Sequence, residues 1–370
     1  MQQKIVCLTR HLLDRRGTQI QDSIFLSWLE MFMQILEEFD LELEVWQEGH
    51  GWTKELPGMF KIHSVPDPSR DLTLPNVNQA MWEHSSEVIF AIYTDPLLVY
   101  PQPISPSIVL GHYIPSLDPI NNEFVEHQRK SWLAKLRQGL STVDYVIVNH
   151  TPYIQWALAS FPGVHHKIIH IPDCLHPLSP SDSQIEKQSG ENEVRLIFAC
   201  PALPQFGVSE TIRAVDSLIE RFDYLKFYFH GAIPKPLEKQ MAGWFDKRPR
   251  CFLKTEQPRF QFGDVVVFPV KRGPVPVSLV QQAMACGSAV VGSMWGPLVD
   301  LIAHQYNGFF IKPLDEEIYA SAARLISDIE LRESICNHAL ETSKTLKHET
   351  WKKRWRTLIF ELVGRRSIHI

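Results

Sequence analysis

Short runs of apolar, often β-branched residues alternate with longer amphipathic stretches along the whole chain. Each run has the length of a buried strand, and the stretches between them carry the 3.6-residue period of a helix. The predicted strands lie at 4–10, 41–47, 87–93, 106–113, 144–150, 166–172, 194–200, 225–231, 264–270, 288–293 and 308–313. Continuous apolar runs that are separated by helices indicate parallel sheets covered on both faces, so the chain is predicted to belong to the α/β class.

Three amphipathic segments are predicted to be helices. Residues 23–39 place Leu26, Leu29, Phe32, Met33 and Leu36 on one face, and residues 348–366 do the same with Trp351, Trp355, Leu358, Ile359 and Leu362. The third segment, at 129–140, combines basic with apolar residues. It is either a core-facing helix with a solvated basic side or a helix that lies on an anionic membrane surface.

A polar stretch without aromatic residues, LSPSDSQIEKQSGENE at 178–193, has the composition of a linker. A chain of 370 residues is also too long for one ordinary core. We therefore predict two doubly wound α/β domains, at 1–177 and 194–347, that face a central cleft. Ligands of such folds bind at the carboxyl ends of the strands.

Composition narrows the class of protein. The chain is 44% hydrophobic and 21% charged with a net charge of −5, which gives no global basic field for nucleic acid. The six cysteines form no C-x-x-C pair, which predicts buried thiols in a reducing compartment and no metal site. Neither a secretory signal nor an apolar run of membrane-spanning length is recognisable, so the expectation is a cytoplasmic protein.

Several short motifs follow one another in a specific order. They are YTDPLL (93–98), SIVLGHYIP (107–115), VDYVIVNHTPYIQWAL (143–158), KIIHIPDCLHP (167–177), RLIFACPALPQFGVSETIRAVDSL (195–218), VSLVQQAMACGSAVVGS (277–293), GPLVDLIAHQYNGFFIKP (296–313) and HETWKKRW (348–355). In this order they resemble the retaining, metal-independent glycosyltransferases that include sucrose synthases and mannosyltransferases. The resemblance implies the GT-B fold, with two Rossmann-like domains and a C-terminal helix, residues 348–370, that crosses back to the first domain.

The resemblance also implies a nucleotide-sugar donor and no cofactor, yet the usual donor-site residues are missing. Pro201 and Phe206 stand where the family has an arginine and, just before Gly207, a lysine that stabilise the diphosphate leaving group. Pro274 and Gln282 replace two glutamates that surround a helix expected to open with AMACG (283–287). The phosphate-binding loop reads VPVSL, which leaves Ser278 and Leu279 as candidate donor contacts.

Other residues could replace the lost donor contacts. Lys271 and Arg272 follow a predicted strand at its carboxyl end, where a phosphate would lie, although they could equally be an exposed loop pair. His230 and Gly231 end another strand, where they would meet a base or phosphate or simply pack at the edge of the core. Asp300 would contact the ribose or cap a helix. Arg213 is a further cation, on the helix after Gly207, and is expected to be solvated.

On the acceptor side, His112 is the best-placed residue, because its counterpart in the family lies near the reacting sugar. Asp118 is a further catalytic candidate, and Asn149 and His150 are candidates for an acceptor pocket. Asn149 replaces the usual serine, and Asp173 replaces the usual asparagine. The pair His165–His166 is not expected to bind metal, since adjacent residues on the predicted strand point to opposite faces.

Three functional hypotheses follow from the sequence. The first is an active glycosyltransferase with a rebuilt donor site, acting on a glycan, lipid or small-molecule acceptor with at most peripheral membrane contact. The second is an inactive relative that serves as a binding module or as a partner subunit of an active transferase. The third is inverting chemistry, with His112 or Asp118 as the general base.

Overall fold

The computed structural model describes residues 3–9, 12–14, 16–20, 23–49, 51–56, 60–66, 88–94, 106–110, 134, 136–174, 193–254, 256, 258–272, 275–346 and 348–366. These residues divide into two compact units. Unit 1 combines Met1–Asp173 with Glu349–Ile370, and unit 2 is Cys174–His348. The linker predicted at 178–193 stays a prediction, since residues 178–192 lie outside the described ranges. No helix among the described residues is long and apolar enough to span a membrane.

Unit 1 is built on an eight-stranded sheet. Its strands are β1 (Gln3–Leu8), β2 (Leu41–Gly49), β3 (Trp52–Glu55), β4 (Lys61–Pro66), β5 (Val88–Tyr93), β6 (Ser107–Leu110), β7 (Tyr145–Val148) and β8 (Ile168–His170). Their order is β3-β4-β2-β1-β5-β6-β7-β8, and only the β3–β4 pair at one edge is antiparallel. The two strands at this edge, β3 and β4, were not predicted. Among the described residues of this unit, α-helices span Ser23–Leu36, Thr151–Ser160 and His348–Arg366.

Unit 2 carries a six-stranded sheet that is parallel throughout. Its strands are β9 (Val194–Phe198), β10 (Leu225–His230), β11 (Cys251–Lys254), β12 (Val265–Phe268), β13 (Ala289–Ser293) and β14 (Gly308–Ile311). The order β11-β10-β9-β12-β13-β14 reverses direction between β9 and β12. This is the Rossmann order, whose switch point lies between those two strands. The helices are Val208–Arg221, Lys235–Asp246, Val277–Ala285, Leu298–Leu301, Asp315–Ser327 and Ile329–Thr345.

The last helix, His348–Arg366, belongs to unit 1 from Glu349 onward. Trp355 is fully buried there, with its ring centroid 5.6 Å from that of Trp28 and 5.0 Å from that of Phe32. All five residues of its predicted apolar face are buried. The predicted return of this helix to the first domain is therefore confirmed, and so is the α/β class with two Rossmann-like sheets.

Two details of the helix predictions are wrong. The first α-helix ends at Leu36 and continues as a 3₁₀ turn over Glu37–Phe39. His165 and His166 lie in a 3₁₀ helix, Pro162–Lys167, and not on a strand, because a proline at its first position favours a helical turn. No metal-binding cluster of His, Cys, Asp or Glu occurs among the described residues.

The basic segment at 129–140 is described at residue 134 and from residue 136 onward, where the chain is helical to residue 142. Leu136 and Leu140 are both buried in the core of unit 1. The described part therefore agrees with the core-facing interpretation of this helix, since two of its apolar residues already have a protein partner.

Candidate functional site

The loop after β9 packs closely against the loop after β12, at the switch point of the unit 2 sheet. It forms a 3₁₀ turn over Pro204–Phe206 and ends at Gly207, which has a left-handed φ of 67°. A Cβ atom on Gly207 would lie 2.5 Å from the carbonyl oxygen of Pro269, so only glycine permits this approach. The backbone N–H of Lys271 donates to Gln205 O at 2.8 Å and joins the two loops.

Phe206 and Pro201, which stand where the family has its two cations, differ in how deeply they are buried. Phe206 is buried in the core of unit 2, whereas Pro201 is half-buried. The phenyl ring has therefore become part of the hydrophobic core. Any positive charge for a diphosphate has to come from other residues.

Lys271 and Arg272, the predicted replacement cations, have different surroundings. Lys271 Nζ lies 2.9 Å from Glu210 Oε1, so its charge is already paired. Arg272 is exposed, and its guanidinium makes no ion pair or hydrogen bond with the residues that the structure describes. The two neighbours are thus not equivalent, because only Arg272 offers an unpaired charge.

Glu210 is at the centre of a small network of charges. Its Oε1 is also 3.3 Å from Arg213 Nη2, and Arg213 Nε lies 2.7 Å from Asp315 Oδ2. Burial raises the pKa of the Glu210 carboxyl, but its hydrogen bonds and the charges of Lys271 and Arg213 outweigh this, so the pKa is below its ordinary value. Glu210 is therefore ionised at neutral pH. Arg213 is half-exposed and paired, as expected of a solvated helix residue.

His230 and Gly231 lie at the carboxyl end of β10. His230 is buried, and its Nδ1–H donates to Glu256 O at 3.0 Å. Burial lowers the pKa of His230, so the imidazole is neutral at neutral pH and supplies no charge to a phosphate. Gly231 has a packing role, since a Cβ atom there would lie 2.0 Å from Cys200 O.

The helix Val277–Ala285 carries three candidate donor contacts on its exposed side. Ser278, Leu279 and Gln282 are half-buried, and Ser278 and Gln282 are one turn apart on the same face. The motif AMACG ends this helix instead of opening it, so the expected placement was wrong. The helix stops because Gly287 takes a left-handed φ of 72° just after it. Only glycine fits there, since a Cβ atom would lie 2.6 Å from the ring of Phe262.

The loop after β13 contributes Asp300. This residue is exposed in the first turn of the helix Leu298–Leu301, and the N-cap of that helix is Pro297. Asp300 is therefore not the N-cap residue. Ser293, at the start of the loop, donates its hydroxyl to Val270 O at 2.5 Å and so links the loops after β13 and β12.

Unit 1 brings two of the acceptor-side candidates together at the carboxyl ends of β7 and β8. Asn149 Nδ2 donates to Asp173 Oδ2 at 2.8 Å, and His150 Nε2 lies 3.2 Å from the same oxygen. Asn149 and His150 are both buried. The other two candidates, His112 and Asp118, lie outside the described residues.

Sequence reasoning missed Glu210 and the role of Asp173. Glu210 comes three residues after Gly207, in the first turn of a helix, where a carboxylate is favoured by the helix dipole. That position is a signal in the sequence, but it does not reveal which cation the carboxylate pairs with. Asp173 was noted only as a departure from the family pattern, because its pairing with Asn149 depends on the parallel neighbourhood of β7 and β8.

Comparison with known proteins finds similarity to glycosyltransferases, in sequence over part of the chain. Residues 194–328, most of unit 2, match the model of the glycosyl transferases group 1 family. An uncharacterized glycosyltransferase of Methanocaldococcus jannaschii, MJ1607, is 29% identical over 156 residues, 40% of this chain and 40% of that relative. The alignment thus spans less than half of the curated relative.

Solved structures resemble nearly the whole chain. Sucrose-phosphate synthase from Thermosynechococcus elongatus superimposes with a TM-score of 0.72 at 14% identity, over 98% of this chain and 100% of that one. WaaG, a glycosyltransferase involved in lipopolysaccharide biosynthesis, gives 0.71 at 13% identity, over 96% and 99%. HepE from Anabaena, in complex with UDP and glucose, gives 0.66 at 14% identity, over 96% and 99%. Residues 194–328 are thus similar to the glycosyl transferases group 1 family, within a chain that has the GT-B fold.

Proposed function

We propose that this protein transfers a sugar from a nucleotide-sugar donor, bound on unit 2, to a glycan, lipid or small-molecule acceptor. The acceptor oxygen would form a bond to the anomeric carbon as its hydroxyl loses its proton. The nucleoside diphosphate would leave with the electron pair of the broken C–O bond. The chemistry needs cations at the leaving diphosphate, and removal of one such group typically costs about 3–4 kcal/mol of transition-state stabilisation.

The observation that carries the proposal is the position of Lys271 and Arg272. Both follow β12 at the switch point of a sheet in Rossmann order, where ligands of such sheets bind. Both backbone N–H groups donate to Gln205 O, at 2.8 and 3.4 Å, in the loop where the family has its own cations. Two positive side chains thus stand beside the place of the two that are missing.

Donor binding tests the proposal directly. Calorimetry with UDP-, GDP- and ADP-sugars should detect at least one donor, and the double variant Lys271→Ala/Arg272→Ala should bind it more than tenfold more weakly. Lys226→Ala is the matched control, because Lys226 pairs with Glu193 near the start of β10, at the amino ends of the strands, whereas Lys271 and Arg272 follow the carboxyl end of β12. An unchanged affinity of the double variant would rule out these two cations.

The alternative is a chain that no longer transfers sugar and acts as a binding module or as a partner of an active transferase. The engagement of Lys271 by Glu210 favours it, since a paired lysine is less available to a diphosphate. This alternative predicts that none of the donors binds and that an intact transferase co-purifies with the protein. Where transfer does occur, the anomeric configuration of the product separates retaining from inverting chemistry.

A further inference from the structure

The carboxylate of Glu210 is held by groups that commonly bind phosphate. It lies in the first turn of the helix Val208–Arg221. It is also 2.9 Å from Lys271 Nζ and 3.3 Å from Arg213 Nη2. A helix N-terminus, a lysine and an arginine together form a typical anion-binding environment. Here the chain's own side chain fills it.

We propose that Glu210 is an intramolecular competitor of the donor diphosphate, which must take Lys271 away from it in order to bind. Glu210 thereby sets the donor affinity of this site. This inference rests on the proposed function, because it concerns the same cations. It goes beyond that function by assigning an affinity-determining role to a residue that does not itself bind the donor.

The charges of the cluster show why such competition is effective. Lys271 and Arg213 carry two positive charges, and Glu210 and Asp315 carry two negative ones. The four residues are therefore electrically balanced. Of the three cations Lys271, Arg213 and Arg272, only Arg272 remains to attract an anion, since the described residues give its guanidinium no counter-charge.

The exchange is physically accessible. The Lys271 side chain is 37% exposed, so its ammonium group can be rehydrated or can turn on its flexible stem. Arg213 keeps Asp315 when Lys271 leaves. The Oε2 atom of Glu210 is buried without a hydrogen-bond partner among the described residues.

The charge of the ligand decides how well it competes. A pyrophosphate group offers more negative charge to Lys271 than the single carboxylate of Glu210 does, whereas a monophosphate has a smaller advantage. Diphosphate ligands should therefore be selected over monophosphates. Because Glu210 makes Lys271 less available to either ligand, removing the charge of Glu210 should strengthen the binding of both.

The test compares the full-length wild type with Glu210→Gln, which keeps the shape of the side chain and removes its charge. Calorimetry with inorganic pyrophosphate and with UDP should show binding about tenfold tighter in the variant, as expected when the ligand no longer has to break the charged hydrogen bond between Lys271 and Glu210. The gain should disappear in Glu210→Gln/Lys271→Ala. Glu193→Gln is the matched control, because it removes the carboxylate of the Lys226 pair and should change nothing.

The outcomes separate this inference from the proposed function. Equal or weaker binding of pyrophosphate by Glu210→Gln overturns the inference, since Glu210 would then position Lys271 instead of competing for it. If UDP binds both proteins equally well, the inference fails and the proposed function stands. If pyrophosphate binds the variant more tightly but neither UDP nor any nucleotide-sugar binds, the inference stands and the proposed function fails. Glu210→Ala provides a second variant, should the glutamine side chain form new hydrogen bonds.

Discussion

The side-chain amide of Asn149 donates a hydrogen bond of 2.8 Å to Asp173 Oδ2. In the family that this sequence resembles, these two positions hold a serine and an asparagine. Both changes were visible in the sequence as separate departures. The structure shows that the two side chains are hydrogen-bonded to each other at the carboxyl ends of β7 and β8, so one substitution provides a partner for the other.

The first prediction concerns this pair. Hydrogen bonds to a charged group contribute about 1.5–3 kcal/mol, and a buried Asn149 leaves little water to replace the partner. A double-mutant cycle with Asn149→Ala and Asp173→Ala should therefore give a coupling free energy of unfolding in that range. Urea denaturation of the four proteins measures it. A coupling near zero would show that the two residues are independent.

The second prediction concerns the glycines that bring the unit 2 loops together. Gly231→Ala places a Cβ 2.0 Å from Cys200 O, and the backbone has to move to accept it. Overpacking of this kind costs about 1–3 kcal/mol, and Gly207→Ala adds strain at its positive φ to a similar clash with Pro269 O.

Gly243→Ala is the control for both variants. Gly243 lies within the helix Lys235–Asp246, and a Cβ atom there meets nothing within 4 Å. Alanine should therefore stabilise the protein by about 0.5–1 kcal/mol through helix propensity. In thermal unfolding, the Tm should therefore fall in Gly207→Ala and Gly231→Ala and rise in Gly243→Ala. If Gly243→Ala also lost stability, the losses in Gly207→Ala and Gly231→Ala could not be attributed to the close packing of the loops.

The third prediction concerns restoration of the family's cations. Phe206→Lys should cost about 3 kcal/mol or more, because it removes a ring from the core and buries an ammonium group in its place. Pro201→Arg should cost much less, since Pro201 is half-buried. Donor affinity should therefore rise in Pro201→Arg, and Phe206→Lys should reduce stability without that gain. Calorimetry and thermal unfolding together decide the point, and a stable Phe206→Lys that binds donor more tightly would contradict it.

The fold was more predictable from the sequence than the site. A continuous apolar run such as VVVF at 265–268 indicates a buried strand. The apolar face that contains Trp351 and Trp355 likewise requires a hydrophobic core to pack against, and both residues are buried. The edge strands β3 and β4 were missed because their residues are partly polar and their pairing depends on the neighbouring β2.

The charges of the site were harder to predict, since they depend on distances across loops. The adjacency of Lys271 and Arg272 in the chain suggested one function for both. Glu210, which distinguishes them, lies on another element 2.9 Å from one of the two. An ion pair between a loop and a helix leaves no periodic signal in the sequence. The position of AMACG was predicted wrongly for another reason. Small residues occur both where a helix ends close to a strand and where a helix begins, so their presence does not distinguish the two ends.

The last prediction separates Lys271 from Arg272. Arg272 has no ion-pair partner among the described residues, so it can bind a phosphate without breaking an ion pair. Lys271 must first break its ion pair with Glu210. In the wild-type background, Arg272→Ala should therefore weaken pyrophosphate binding about tenfold, and Lys271→Ala only about two- to threefold. In the Glu210→Gln background the two losses should become similar, since Lys271 is then released. Calorimetry on the two single and two double variants measures all four losses. A larger loss for Lys271→Ala than for Arg272→Ala in the wild type would show that Glu210 presents Lys271 to the ligand, and that the ion pair is part of the binding site.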